Sequence, residues 1–192
     1  LMQAEEWWKK YNVNKNNIKR FCFIGYFNSM YDFSIVKLLA LRFLKEGINS
    51  KEIFVAGDSA GGGLTLALLQ KIKSEELPTP SCAIVISPWT DLTLSGNSIH
   101  ERGHRDPMIK PGPSMQVTVS AYCGNEDPMN PLISPLFADY RDMPPIQIQV
   151  ASEETIYDDS SRLYEKLKVE NPGKVEFIEW KGLFHVFQAF CL

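Results

Sequence analysis

Two hydrophobic rhythms alternate along the chain. Short, nearly unbroken apolar runs occur at Phe21–Phe27 (FCFIGYF), Ile53–Ala56 (IFVA), Cys82–Ile86 (CAIVI) and Ile146–Ala151 (IQIQVA), with a more polar run at Val175–Trp180 (VEFIEW). Rich in β-branched and aromatic residues and closed by Arg20 and Asn28, by Gly57 or by Ser87-Pro88, these runs read as strands. The IFVA run has no polar position and predicts a strand buried on both faces. Between the runs, apolar residues return every three or four positions. Phe33, Val36, Leu39, Ala40, Phe43 and Leu44 predict a helix from Phe33 to Glu46, stopped by Gly47. Leu64, Ala67, Leu68 and Ile72 predict another over 62–73, before Pro78, and a third is expected from about Tyr157 to Lys168. Strands that alternate with helices imply an α/β fold, a mainly parallel sheet flanked by helices.

The stretch from about 95 to 136 breaks this rhythm. It is rich in proline and glycine, carries His100 and His104, and has one helical candidate, Ser114–Tyr122. It reads as an insertion lying over the sheet edge inside one domain, 1–192, in which no internal repeat is visible.

Composition narrows the partners. Of 192 residues, 44% are hydrophobic and 22% charged, which excludes a disordered or collagen-like chain. Lys plus Arg at 20 against Asp plus Glu at 23 leaves a net charge of −3, with no basic footprint for nucleic acid or anionic lipid. Cys22, Cys82, Cys123 and Cys191 stand far apart without a CxxC pair, so neither a metal site nor a dense disulfide framework is expected. Lys37, Arg42 and Lys45 break the best membrane candidate, around Ile35–Leu44, and residues 1–20 have no basic-then-apolar leader pattern. The compartment defaults to cytoplasmic, and the oligomeric state stays open.

Chemistry enters at Gly57-Asp58-Ser59-Ala60-Gly61, a G-x-S-x-G pattern extended by Gly62 and Gly63. A Gly-rich turn that only packs, or holds a phosphate, could carry the same letters. Here the serine follows an apolar strand and opens a helix, which is the setting a nucleophile elbow needs. The small flanking residues let the chain turn sharply and lift the hydroxyl above the sheet, near the positive end of the helix. The Ala60 N–H would then be one oxyanion donor.

A serine needs a base, and the base an orienting acid. His100 and His104, set among Glu101, Arg102, Arg105 and Asp106, read as surface residues. His185 follows the last expected strand and a Gly182-Leu183-Phe184 turn, where a loop can bring its imidazole over Ser59. The acid should sit on the loop after Ile146–Ala151. Glu153 and Glu154 meet that condition, whereas Asp158 and Asp159 fall at the start of the next helix, where acidic residues suit the macrodipole. The order serine, acid, histidine is that of an α/β-hydrolase.

An ordered set of segments sharpens this. GDSAGG at Gly57–Gly62, SPWTDL at Ser87–Leu92, SPL at Ser134–Leu136, MPP at Met143–Pro145, ETIYDD at Glu154–Asp159 and GLFHVF at Gly182–Phe187 stand in sequence. Together, from about Phe33 to Phe190, the chain resembles the hormone-sensitive lipase family of α/β-hydrolase carboxylesterases, including arylacetamide deacetylase-like members. The resemblance implies Ser59 as nucleophile, His185 as base and Glu154 as the acid, with an insertion that contributes to a cap. It implies a small-molecule ester substrate (an uncharged acyl or aryl ester, or an acetylated amide) and no metal or organic cofactor. Trp89, Phe184 and Phe187 would line an apolar acyl pocket, and SPWTDL would be structural before catalytic.

One family feature has no counterpart. Relatives carry an H-G-G-G segment before the elbow whose N–H groups complete the oxyanion hole. Here only Gly25 and Gly47 precede Gly57, and no histidine precedes His100. The expectation is a partial domain, trimmed at both ends and lacking its first strands and part of the cap. Such a chain should be weakly active or inactive, since one lost oxyanion donor costs about 10²–10³ in kcat. The rival reading is a non-catalytic small-ligand-binding protein on the same scaffold. A peptidase of this fold fits the insertion and the SPWTDL segment less well.

Overall fold

The computed structural model describes residues 47–190, together with the backbone of Arg20–Ile24. Strands β1 (Arg20–Ile24), β2 (Ile53–Asp58), β3 (Cys82–Ile86), β4 (Ile146–Ala151) and β5 (Val175–Trp180) form a sheet in that order, each neighbouring pair parallel. Parallel neighbours require crossovers. From β2 onward these are supplied by helices α1 (Ala60–Ser74), α2 (Ser98–Arg102), α3 (Pro113–Cys123) and α4 (Tyr157–Glu170). Helix α1 links β2 to β3, α2 and α3 lie in the long β3–β4 connection, and α4 links β4 to β5. The helix expected over Phe33–Glu46 and the end of the first expected strand, residues 25–27, lie outside the described residues.

Register decides which face is the core. Val55 pairs with Ala83, Ala83 with Ile146, and Ile146 with Val175. With the two-residue period of a strand, Ile53, Val85, Ile148 and Phe177 share that face. It packs against Leu64, Leu68, Leu69 and Ile72 of α1 and Leu163 and Leu167 of α4. The opposite face holds Phe54, Cys82, Ile84, Gln147 and Gln149. There Gln147 Nε2 donates to Glu176 at 2.9 Å, Gln149 Nε2 to Gln147 at 2.9 Å, and Gln188 Nε2 to Gln149 at 3.3 Å. Each amide oxygen satisfies the next donor, which lets a buried glutamine sit inside a parallel strand. Ile84 and Ile86 on that face are half-buried, whereas Cys82, Ala83 and Val85 of β3 are buried.

The insertion shares a second core with the loops after β3 and β4: Trp89, Leu92, Ile99, Met115, Cys123 and Ile156. Its first half is bonded to the loop after β4 and to the start of α4. Ser98 Oγ donates to the Thr155 carbonyl at 2.9 Å and accepts from Asp158 N at 3.0 Å. Buried Asp106 accepts from Met108 N and from Thr155 N, both at 2.9 Å.

Candidate active site

Four loops leave the C-terminal edge of the sheet side by side, after β2, β3, β4 and β5. That edge is where open α/β sheets place their ligands.

The loop after β2 is the sharpest. Ser59 sits at φ 53°, ψ −124°, a conformation that costs a side-chain-bearing residue about 1–3 kcal/mol. Its surroundings hold it there. Ser59 N donates to the Ile86 carbonyl at 2.9 Å, and its own carbonyl accepts from Trp89 N at 2.9 Å and Gly62 N at 3.0 Å. The glycines make the approach possible: a Cβ on Gly57 would fall on the Gly61 carbonyl, and one on Gly62 would come within 2.8 Å of Pro88 Cβ. Asp58 ends β2, paired with Ile86. Ala60 opens α1, and a first-turn N–H has no acceptor within its own helix.

The Ser59 side chain makes no cap to its helix. Its Oγ lies 2.8 Å from His185 Nε2 instead. His185 Nδ1 lies 3.0 Å from Glu154 Oε2. A carboxylate can only accept, so Nδ1 carries the proton and Nε2 is left to accept from the serine hydroxyl. Glu154 is fully buried, and its Oε1 accepts from Ala151 N at 2.5 Å and Ser87 Oγ at 2.7 Å. Those donors offset the cost of burying its charge. Ser59 and His185 are each about 4% exposed, so the chain of bonds is shielded from bulk water.

Of the two acids that loop position left open, only Glu154 reaches the histidine. Glu153 turns outward, accepting from Ser152 Oγ at 2.8 Å and Arg105 at 3.1 Å, and these bonds hold its carboxyl below the usual value. Asp158 and Asp159 lie in the first turn of α4, as expected, and both also accept from amides of other loops. Asp159 is buried and its Oδ2 accepts from Thr90 N at 2.7 Å and Asp91 N at 2.8 Å. Asp158 Oδ2 accepts from Ser98 N at 3.1 Å. The start of α4 lies against the loops of β3 and α2, so their unpaired amides take these carboxylates. Burial pushes the Asp159 carboxyl up to about 8 despite the two backbone bonds. Burial also raises Asp91, but bonds from Ser95, Thr93 and Arg162 outweigh it and hold that carboxyl below its ordinary value.

The three expected pocket aromatics pack against different partners, although Phe187 N donates to the Phe184 carbonyl at 3.2 Å in the turn after His185. Trp89 belongs to the second core, Phe184 packs edge-on to Phe190 at 5.5 Å, and Phe187 edge-on to Trp180 at 5.6 Å. A cavity of about 680 Å³ opens under the insertion, between Leu92, Leu94, Ile99, Met115, Val119 and Met129 among others. None of Trp89, Phe184 and Phe187 lines it. Among the described residues no cluster of His, Cys, Asp or Glu is placed to hold a metal ion, and no helix is long and apolar enough to cross a membrane. Burial pushes the Cys82 thiol up to about 12, which leaves it inert as a nucleophile near neutral pH. His100 and His104 are exposed, away from the triad-like chain of bonds.

Sequence reasoning passed over Ser87, Asp106 and the bridging role of Asp159. The one signal present was their place in SPWTDL, in the Asp106-Pro107 step and in ETIYDD.

Fold and strand-edge geometry together define a hydrolase-type scaffold, and comparison with known proteins agrees. Residues 28–189 match the model of the alpha/beta hydrolase fold, and the chain belongs to that family. It is 38% identical over 144 residues to an acetyl-hydrolase of Streptomyces hygroscopicus, covering 75% of this chain and 48% of that protein. An esterase of Acinetobacter venetianus is 36% identical over 148 residues, 77% of this chain and 48% of the relative. A solved hormone-sensitive lipase from a metagenome library matches with a TM-score of 0.76 at 38% identity, over 82% of this chain and 52% of that one. The chain thus spans about half the length of these relatives.

Proposed function

We propose that these residues form the triad-bearing part of a serine carboxylic-ester hydrolase that works through an acyl-enzyme. The observation that carries this reading is the unbroken path from Ser59 Oγ to His185 Nε2 at 2.8 Å and from His185 Nδ1 to Glu154 Oε2 at 3.0 Å. Ser59 Oγ attacks the ester carbonyl carbon while His185 Nε2 takes the hydroxyl proton. The same proton passes to the departing alkoxide, which leaves as the alcohol. Water then attacks the acyl carbon, His185 accepts its proton, and the acid departs as the Ser59 hydroxyl is restored. Glu154 holds the imidazole in the required tautomer and stabilises its charge when protonated. The Ala60 N–H donates to the oxyanion, at the positive end of α1. Small uncharged acyl or aryl esters and acetylated amides are the substrates of this reading, and its steps draw on no metal or organic cofactor.

The sequence carries no His-Gly-Gly-Gly segment to complete the oxyanion hole. Turnover by these 192 residues is therefore set about 10²–10³-fold below that of a protein with the second set of donors. A second reading is a small-ligand-binding protein on this scaffold. A fluorophosphonate probe separates the two. Ser59 Oγ displaces fluoride from phosphorus, and the adduct is located by peptide mass spectrometry. Labelling on Ser59, lost in Ser59→Ala, is the expected result. Labelling that survives the substitution overturns the nucleophile, and a folded protein that is never labelled supports the binding reading.

A further inference from the structure

Ser87 closes β3 and lies between the loop that carries the acid and the loop that carries the base. Its side chain is fully buried, and it is held at φ +48°, in the left-handed region, although it is not glycine. Its N–H donates to the Gln149 carbonyl at 2.7 Å, which fixes its main chain to β4. Its Oγ makes two further bonds, with Glu154 Oε1 at 2.7 Å and Val186 N at 3.3 Å.

Proton counting orients both bonds. A serine hydroxyl has one proton and two lone pairs, an ionised carboxylate only accepts, and a backbone N–H only donates. Ser87 therefore donates to Glu154 and accepts from Val186. Val186 directly follows His185 and is itself held at φ 51°. One oxygen atom thus ties the acid's carboxylate to the backbone that carries the base. The second hold on Glu154 Oε1, from Ala151 N, comes from its own loop and does not reach the histidine.

We propose that Ser87 is a positioning residue for the acid–base pair: it turns the Glu154 carboxylate so that Oε2 meets His185 Nδ1, and it pins the His185 loop at Val186. This rests on the reading of Ser59, His185 and Glu154 as a catalytic triad. Without the hydroxyl, Glu154 keeps the Ala151 N–H and stays buried, but its rotation and the distance to His185 are no longer set from the β3 side. The consequence falls on the chemical step and leaves probe binding alone.

Two readouts on the full chain test this, in the native protein and in Ser87→Ala, Ser87→Gly and Ser87→Cys. The first is the far-downfield proton resonance of His185 Nδ1–H, assigned by its loss in His185→Asn. The second is the limiting rate and half-saturating concentration of fluorophosphonate labelling. With melting temperatures within a few degrees of native, Ser87→Ala should broaden or lose the resonance. It should also lower the limiting rate about ten- to a hundredfold, the scale of a small misplacement of reacting groups, with half-saturation unchanged. Glycine relieves the positive φ but lacks the hydroxyl. Ser87→Gly should therefore behave as Ser87→Ala does, whereas a role in backbone conformation alone predicts native behaviour. Ser87→Cys keeps a weaker donor in the same place and should fall between. A native resonance and native rate in the alanine and glycine variants overturn the proposal, as does the lack of any such resonance in the native protein. If the native chain is never labelled on Ser59, yet the resonance is present and is lost with the hydroxyl, the esterase reading fails while the placement by Ser87 stands.

Discussion

The strand-end loops and helix α3 reach order by opposite routes. At the loops, Ser59, Ser87, Glu154 and His185 are all buried, each from a different strand end, and each bonded to a neighbour in another loop. Positive φ at Ser59, Ser87 and Val186 persists because hydrogen bonds from adjacent strands over-determine it. Helix α3 has eleven residues, no charged side chain, and only Met115 and Cys123 buried; Val117 and Tyr122 face outward. The insertion is bonded to the loop after β4 through Ser98 and Asp106, whereas α3 contributes only apolar contacts from Met115, Val119 and Cys123. Precision here comes from bonds between loops anchored on one sheet, while α3 is held by the packing of Met115 and Cys123 in the second core.

The largest effect that could break this contrast lies at those bonds. Asp106→Ala would strip a buried acceptor from Met108 N and Thr155 N, leaving both amides without their carboxylate. An unsatisfied buried group costs about 1–3 kcal/mol, so a loss of roughly 3 kcal/mol is expected in equilibrium urea unfolding. Val117→Ser, at a site 67% exposed on α3, should change stability by less than about 0.5 kcal/mol. Comparable losses from the two substitutions would show that α3 carries as much of the insertion's order as those bonds do.

A pH-dependent effect separates two carboxylates of the same network. Burial raises the folded-state value of Asp159 to about 8, well above that of an unfolded aspartate. Its contribution to stability is therefore complete below about pH 4 and is lost as the pH rises through the folded value. Asp91 is held below its ordinary value, so its contribution is present above about pH 4 and is lost as the pH falls through the folded value. Asp159→Asn keeps an oxygen for Thr90 N and Asp91 N and cannot ionise. The variant should match the native protein near pH 4 and gain on it by a few kcal/mol towards pH 9, since each tenfold change in proton affinity is worth about 1.4 kcal/mol. Urea unfolding at both pH values measures the difference, and a constant difference would mean that Asp159 is not the group that titrates.

How far the sequence carried depended on distance along the chain. Strands β3, β4 and β5 begin and end where the runs do: β3 and β4 are largely buried inside the parallel sheet, while β5, the more polar run, is its half-exposed edge. Strand β2 extends past the IFVA run to Asp58, since Gly57 and Asp58 still pair with Val85 and Ile86. Helix α1 starts at Ala60, two residues earlier than its apolar periodicity, because the elbow serine is itself the residue before the first turn. The juxtaposition of Ser59 and His185 was legible from a strand–turn–helix pattern and from the order of segments. The neighbouring roles were not. Ser87 reaches Glu154 across 67 residues, Thr90 reaches Asp159 across 69, and Thr155 reaches Asp106 across 49. No local pattern encodes bonds that exist only once the strand ends are assembled. Loop position alone could not choose between Glu153 and Glu154 either, because adjacent residues differ in direction more than in place.

That choice supplies the smallest expected effect. Glu153 and Glu154 share a loop, yet one accepts from exposed Arg105 at 3.1 Å while the other faces His185 from full burial. Surface ion pairs contribute about 0–1 kcal/mol and are screened by salt, so Glu153→Gln should leave urea stability within that range. It should also leave the limiting rate of fluorophosphonate labelling within about twofold, because Glu153 Oε1 and Oε2 are committed to Ser152 and Arg105 and reach no triad atom. Added salt should shrink even the small stability difference. A fall in labelling rate as large as that expected from Ser87→Ala would mean that the outer acid also sets the imidazole. The division between an inner loop built for alignment and an outer one built for solvation would then be wrong.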